Sequence, residues 1–270
     1  MRTILLLGQR RSSVHSAPMT QVSGAAAYDA AGVDGIRSLW ERVSAISPTP
    51  ATWIVQVVAV VAVVLVLEPH AWRITRNVVT IIHEGAHLVV ALLFGRRLKG
   101  VRLHSDTSGV AISSGKPTGL GVVLMTFAGY VGPAVLGLGA AWVLGTRHAV
   151  AVLWIGVVAL AAMLILVRNL YGLFSLTVVG ALLFGLVWLG TEQQQVAAAY
   201  LITFFMLVAS PRPVIELQRS RARRAAPDSD ADQLARLTRV PGIVWVGLFL
   251  LVNIGCLLLG GWWILRPVGA

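Results

Sequence analysis

The sequence predicts an all-α polytopic membrane protein of about seven transmembrane helices, with a small β-hairpin after the second, and three observations carry that prediction. Hydrophobic residues make up 57% of the chain and charged ones 12%, at a mean hydropathy of +0.80, far from the balance of soluble domains. The apolar residues gather in runs close to the roughly 20 residues that a span needs. The basic residues behind the net charge of +11 flank those runs instead of forming an aromatic-studded polar face, which excludes nucleic acid and leaves the lipid bilayer as the partner.

Residues 1–50, rich in Ser, Ala, Gly and Thr, read as a weakly structured cytoplasmic tail with a short helix around GIRSLWERVSAI, ahead of a membrane-embedded domain over 51–270. The opening ILLL is too short for a secretory signal, and Gln9, Arg10 and Arg11 follow it directly. Spans are expected near Trp53–Leu67, Val78–Phe94, Leu120–Leu144, Val150–Val167, Leu173–Leu189, Gln194–Ala209 and Ile243–Leu265. Lys and Arg in the connecting loops set the orientation. The cytoplasmic loops then hold Arg96, Arg97, Lys99, Arg102, Lys116, Arg168, Arg212, Arg219, Arg221, Arg223 and Arg224, while Arg73, Arg76 and Arg147 fall outside. The expectation is a multi-pass plasma-membrane protein with its N-terminus in the cytoplasm and, after an odd number of spans, its C-terminus outside. Cys256 is the only cysteine, so an intramolecular disulfide and a cysteine-based zinc cluster are both excluded.

Between the second and third spans, GRRLKGVRLHSDTSGVAISSG alternates apolar and polar residues on either side of Ser108 and Gly109, the pattern of a β-hairpin. It reads either as a plain surface loop or as an exposed strand edge that pairs with an extended peptide.

The second span carries HEGAH. His83 and His87 are four residues apart, so on a helix they leave from one face. With Glu84 they form H-E-x-x-H, in which two histidines bind zinc and the glutamate takes a proton from water activated by the metal. With 6 His in 270 residues the pattern arises by chance about 0.003 times. The bland alternative is a polar trio satisfied by interhelical hydrogen bonds, but three ionisable groups in one intramembrane turn need a shared partner, and a divalent cation serves all three. The small residues Gly85 and Ala86 allow close approach of a helix or a substrate. His83 and His87 precede Arg96 by about 20 and about 14 Å along a helix, which sets the site inside the bilayer toward the cytoplasm.

HEGAH, the following GVRLHSDTSGVAISSGKPTGLG and AGYVGPAVLGLGAAW resemble the site-2 protease family of intramembrane zinc metallopeptidases, in particular its compact bacterial branch, over roughly residues 70 to 265. The resemblance implies His83 and His87 as zinc ligands, Glu84 as general base, a hairpin at VRLHSDTSGVAIS that helps to present an unwound substrate, and a third ligand from a distant aspartate. That family's L-D-G turn is missing, and no Asp or Glu lies between Asp106 and Glu192. VRNLYG resembles the asparagine-containing part of the family pattern, which makes Asn169 either a substrate-backbone contact or a helix cap. The remaining acidic candidates lie in APDSDADQLARLTRVPGIVW, where Ser229 and Asp230 open a helix. Asp230 is the candidate third ligand, with Asp232 in a supporting or capping role.

The reading that follows is a zinc-dependent intramembrane endopeptidase that acts on a membrane-anchored protein. Its rivals are a proteolytically silent scaffold of the same fold, motivated by the missing L-D-G, and a metal or proton transporter using the same trio.

Overall fold

The computed structural model describes residues 37–224, 226 and 228–266. The expected tail over residues 1–36 lies outside the described residues; the GIRSLWERVSAI segment carries α1 over 37–44. From Arg42 onward the chain forms one compact unit. Its elements are α2 (Thr52–Leu67), α3 (Pro69–Leu93), β1 (Arg97–Leu103), β2 (Gly109–Ser114), α4 (Leu120–Gly145), α5 (Ala149–Leu166), α6 (Leu170–Leu189), α7 (Glu192–Ala209), α8 (Pro211–Ala222), α9 (Asp230–Thr238) and α10 (Gly242–Leu265). The all-α architecture with one small hairpin is the expected one.

Among the described residues six helices are long and apolar enough to cross a membrane, with α7 and α8 counted as one 31-residue element. Leu182, Leu251 and Leu258 are 72, 68 and 68% exposed, a surface suited to lipid. The difference from seven spans lies at the start. α2 has only 16 residues, and α3 begins nine residues before the expected Val78 because Glu68 caps it, accepting from the Ala71 N–H, while Pro69 occupies its first turn. Arg73 and Arg76 are therefore helical residues of α3, not a loop between spans.

This changes the topology. The Ser47 N–H donates to the Arg147 carbonyl at 2.7 Å, and Ser47, Arg147, Val196, Trp263 and Arg266 line one cavity. The start of α2, the α4–α5 turn, the start of α7 and the end of α10 thus share one end of the bundle. Phe94, beyond α3, meets Gly121 at the start of α4 at the other end. Ser47 and Arg147 are thus neighbours, whereas the expected topology set residues 1–50 and Arg147 on opposite sides of the membrane. Arg76 and Arg212 share the Glu216 carboxylate at 3.5 and 3.2 Å, which likewise corrects the expected separation of Arg73 and Arg76 from the Arg212–Arg224 segment.

β1 and β2 pair antiparallel, with Val101 opposite Ala111 and Leu103 opposite Gly109. The outer edge of β1 is closed. Val101 bridges Val167 in parallel, its carbonyl accepts from the Arg168 N–H at 2.9 Å, and Asn169 holds Leu103 from both sides, accepting from its N–H at 3.1 Å and donating to its carbonyl at 2.5 Å. Because Val101 turns its carbonyl away from β2, it and Ala111 form a non-hydrogen-bonded pair, and Ala111 turns its own backbone groups away from β1. Of these, the Ala111 N–H is directed at the Glu84 carboxylate.

α9 docks through Ala231 and Leu234, both fully buried against Val131 of α4, Val214 and Leu217 of α8, and Val246 and Phe249 of α10. Pro241 ends the chain segment after α9 and stands at the N-cap of α10, where its lack of an N–H costs nothing.

Candidate metal centre

α3 supplies two donors. Its four-residue spacing brings His83 Nε2 and His87 Nε2 to 3.1 Å, with the rings perpendicular. His87 Nδ1 lies 2.7 Å from the Met125 carbonyl of α4. A carbonyl only accepts, so Nδ1 carries the proton and Nε2 presents its lone pair inward. The His83 ring stands edge-on to Tyr130, with centroids 4.7 Å apart, and Tyr130 stacks on Phe249.

α9 supplies the third. Asp230 Oδ2 lies 3.3 Å from each histidine Nε2, and the three side chains are only 20, 12 and 14% exposed. This oxygen is buried and accepts no hydrogen bond. An unpaired buried carboxylate oxygen is costly, so a cation is the partner that the arrangement calls for. The spacing agrees: donors about 2.0 Å from a tetrahedral zinc stand about 3.3 Å from one another, so the three atoms match one face of that tetrahedron.

α4 forms the wall behind the donors. A Cβ at Gly129 would strike His87 Nε2, and would fall 2.5 Å from His87 Cε1 and 2.7 Å from His83 Cε1. One at Gly132 would strike the Ala86 Cβ, so the small residue expected to admit a neighbour does admit α4. Gly129 and the Met125 carbonyl escaped the sequence reading. The one signal was the three-residue spacing of Gly129 and Gly132 in AGYVG, which sets two glycines close together on one face of a helix.

Glu84 is 4% exposed, beside the hairpin: a Cβ at Gly109 would come within 2.7 Å of its Oε1. Thr80, one turn earlier, donates to the Thr107 carbonyl at 2.8 Å and ties the hairpin tip to α3.

The structure brings four of the candidate residues together, His83, Glu84, His87 and Asp230, and leaves two apart. Asp232 faces α8, where Arg221 donates to both its oxygens, the shortest bond being 2.7 Å. The guanidinium, and after it the Ser229 hydroxyl, hold the Asp232 carboxyl below the usual carboxylate range. Asn169 has the backbone of an N-cap but makes no cap bond; it commits its carbonyl oxygen and one N–H to Leu103, which makes it a latch for the hairpin, and the second N–H of its amide is uncommitted.

Among known proteins, the family model described as Peptidase M50B-like matches residues 56–260, a stretch that contains all four assembled residues. No curated protein and no solved structure matches the chain.

Proposed function

The chain belongs to the Peptidase M50B-like family, and from that premise we propose a zinc-dependent endopeptidase that cleaves a membrane-anchored protein within the bilayer. The observation that carries the reading is the triangle of His83, His87 and Asp230 donors beside the buried Glu84. A bound zinc supplies Lewis acidity toward water and the scissile carbonyl. Glu84 accepts the proton of the attacking water and delivers it to the leaving amide nitrogen. His87, oriented by Met125, and Asp230 hold the metal, and Gly129 keeps α4 from filling its place.

The substrate unwinds first, because an intact helix hides its carbonyls in its own hydrogen bonds. With β1 closed by Val167–Asn169, the free edge is that of β2, where Ala111 faces Glu84. An extended segment paired there lies beside the proton acceptor. The silent-scaffold reading is motivated by the missing L-D-G, and the 3.3 Å approach of Asp230 to both imidazoles supports the enzyme reading against it. No observation favours a transporter.

Orientation follows from arginine. Arg96, Arg97, Arg168 and Arg212–Arg224 belong to the end opposite Arg147 and Arg266, so the arginine-rich end faces the cytoplasm of a plasma-membrane protein and Ser47 the outer side. Cysteines at Thr49 and Ser220 test this with an impermeant reagent on intact cells: Thr49→Cys is labelled and Ser220→Cys protected. The opposite pattern reverses the orientation, and labelling of both breaks the proposal that α2 and α3 together cross the membrane once.

The decisive experiment for the activity is Glu84→Gln in purified protein, with zinc content measured beside cleavage of a transmembrane reporter. Cleavage falls at least about 100-fold while zinc stays stoichiometric, because Glu84 moves protons and is not a ligand. Activity within tenfold of wild type removes Glu84 from the mechanism.

A further inference from the structure

The third donor comes from a helix of nine residues with a polar connection on its N-terminal side, so something must fix that helix to within a fraction of an ångström. Apolar docking through Ala231 and Leu234 resists withdrawal but only weakly resists rotation about the helix axis. Rotation is the damaging motion. A carboxylate oxygen about 5 Å from the axis moves about 1.7 Å for a turn of about 20°, nearly the length of a zinc–oxygen bond.

Asp230 and Asp232 are two residues apart, so they leave α9 about 200° from each other, on opposite sides. Asp230 points at the histidines, and Asp232 is fixed to α8. Arg221 Nη2 donates to Asp232 Oδ1 at 2.7 Å, and Nε donates to both oxygens at 3.1 Å. Nη1 holds Gln218 Oε1 at 3.1 Å. The pair is 16 and 25% exposed, against 77 and 68% for Arg37 and Glu41. It is also enclosed: a Cβ at Gly242 would strike Arg221 Nη2 and come within 3.2 Å of the Ala231 carbonyl, so the guanidinium is lodged where α8, α9 and α10 meet. Ser229 adds a bond, donating to Asp232 Oδ2 at 2.5 Å. Five residues before Arg221, Glu216 accepts from the Trp72 indole at 2.9 Å and pairs with Arg76, so α8 is itself tied to the histidine-bearing helix.

We infer that Arg221 is a positioning residue for the metal centre: by gripping Asp232 on the far side of α9, it sets the rotation at which Asp230 Oδ2 meets His83 and His87. The inference rests on the metal-site reading above. It requires the planar, two-pronged fork of arginine, since a lysine keeps the charge but loses the paired bonds that stop α9 from turning.

The test uses full-length protein in lipid nanodiscs with cobalt(II) as the probe, reading affinity by chelator competition and coordination by visible absorption. Arg221→Ala and Asp232→Asn each weaken cobalt binding by about 10- to 100-fold and diminish the tetrahedral absorption, as loss of an outer-shell partner does. The double variant is no worse than the weaker single one, because both remove the same grip. Arg221→Lys keeps the thermal midpoint but loses most of the affinity, and it carries the test if Arg221→Ala does not accumulate. Saturating metal restores kcat to the variants without altering KM. Cobalt affinity within threefold of wild type in Arg221→Lys and Asp232→Asn overturns the inference, leaving Arg221 a purely structural tie. Asp230→Ala separates the two readings: if it binds cobalt like wild type, the ligand assignment has failed and not the positioning role.

Discussion

α3 and α9 deliver donors to one point by opposite means. In α3 the two histidines are fixed to each other by one turn of a 25-residue helix, and their relation survives whatever α3 packs against. In α9 the donor belongs to a nine-residue helix whose place depends on a serine cap, two buried apolar side chains and an arginine from α8. Half of the metal centre is thus a property of local geometry and half a property of tertiary packing. On the proposed reading, damage to the first would remove the metal, whereas damage to the second would detune its binding.

The sharpest way to break this comparison is to remove one donor from each side. His87→Ala lowers zinc affinity by at least about 1,000-fold, since no second imidazole remains on that face of the helix. Asp230→Ala leaves the histidine pair intact and lowers affinity less, yet by more than the about 100-fold that bounds outer-shell changes. Titration of both variants against a zinc chelator decides the matter, and equal losses would show that the α3 pair has no independent hold on the ion.

Gly129→Ala tests the wall and not the donors. The added methyl meets both imidazoles, so α4 must retreat or the rings must turn; metal affinity falls at least about tenfold and stability by about 1–3 kcal/mol. Full zinc content with unchanged thermal stability would mean that α4 yields freely. The mildest change is Ser229→Ala, which removes the N-cap of α9 and costs about 1 kcal/mol. Its effect should be larger on zinc affinity than on the global unfolding midpoint, because α9 loosens before the bundle does.

The same division governs what could be read before folding. HEGAH was legible because five consecutive residues hold the whole geometry, and Asp230 was reachable because Ser229 and Asp230 announce a helix start. The alternation in VRLHSDTSGVAIS gave the hairpin. The latch made by Asn169 was not legible, because its partner, Leu103, is 66 residues away and no local pattern separates a latch from a cap. Arg221 was one of five arginines between Arg212 and Arg224, distinguished only by facing Asp232. The first expected span is α2, a 16-residue helix whose apolar composition resembles a span's, while Glu68 and Pro69 decide where α3 begins.

Gly129 has a mechanical consequence. With no room for even a methyl group between α4 and the imidazoles, α4 is an anvil: it cannot move inward without striking the ligands. In the proposed enzyme, closure onto a substrate would therefore come from another side than α4, and the hairpin is one such side, held by Thr80 at its tip and by Val167, Arg168 and Asn169 along β1. An inhibitor designed to press from the α4 side would meet that wall, and one that props the hairpin open would work against its ties to Thr80 and to the Val167–Asn169 segment.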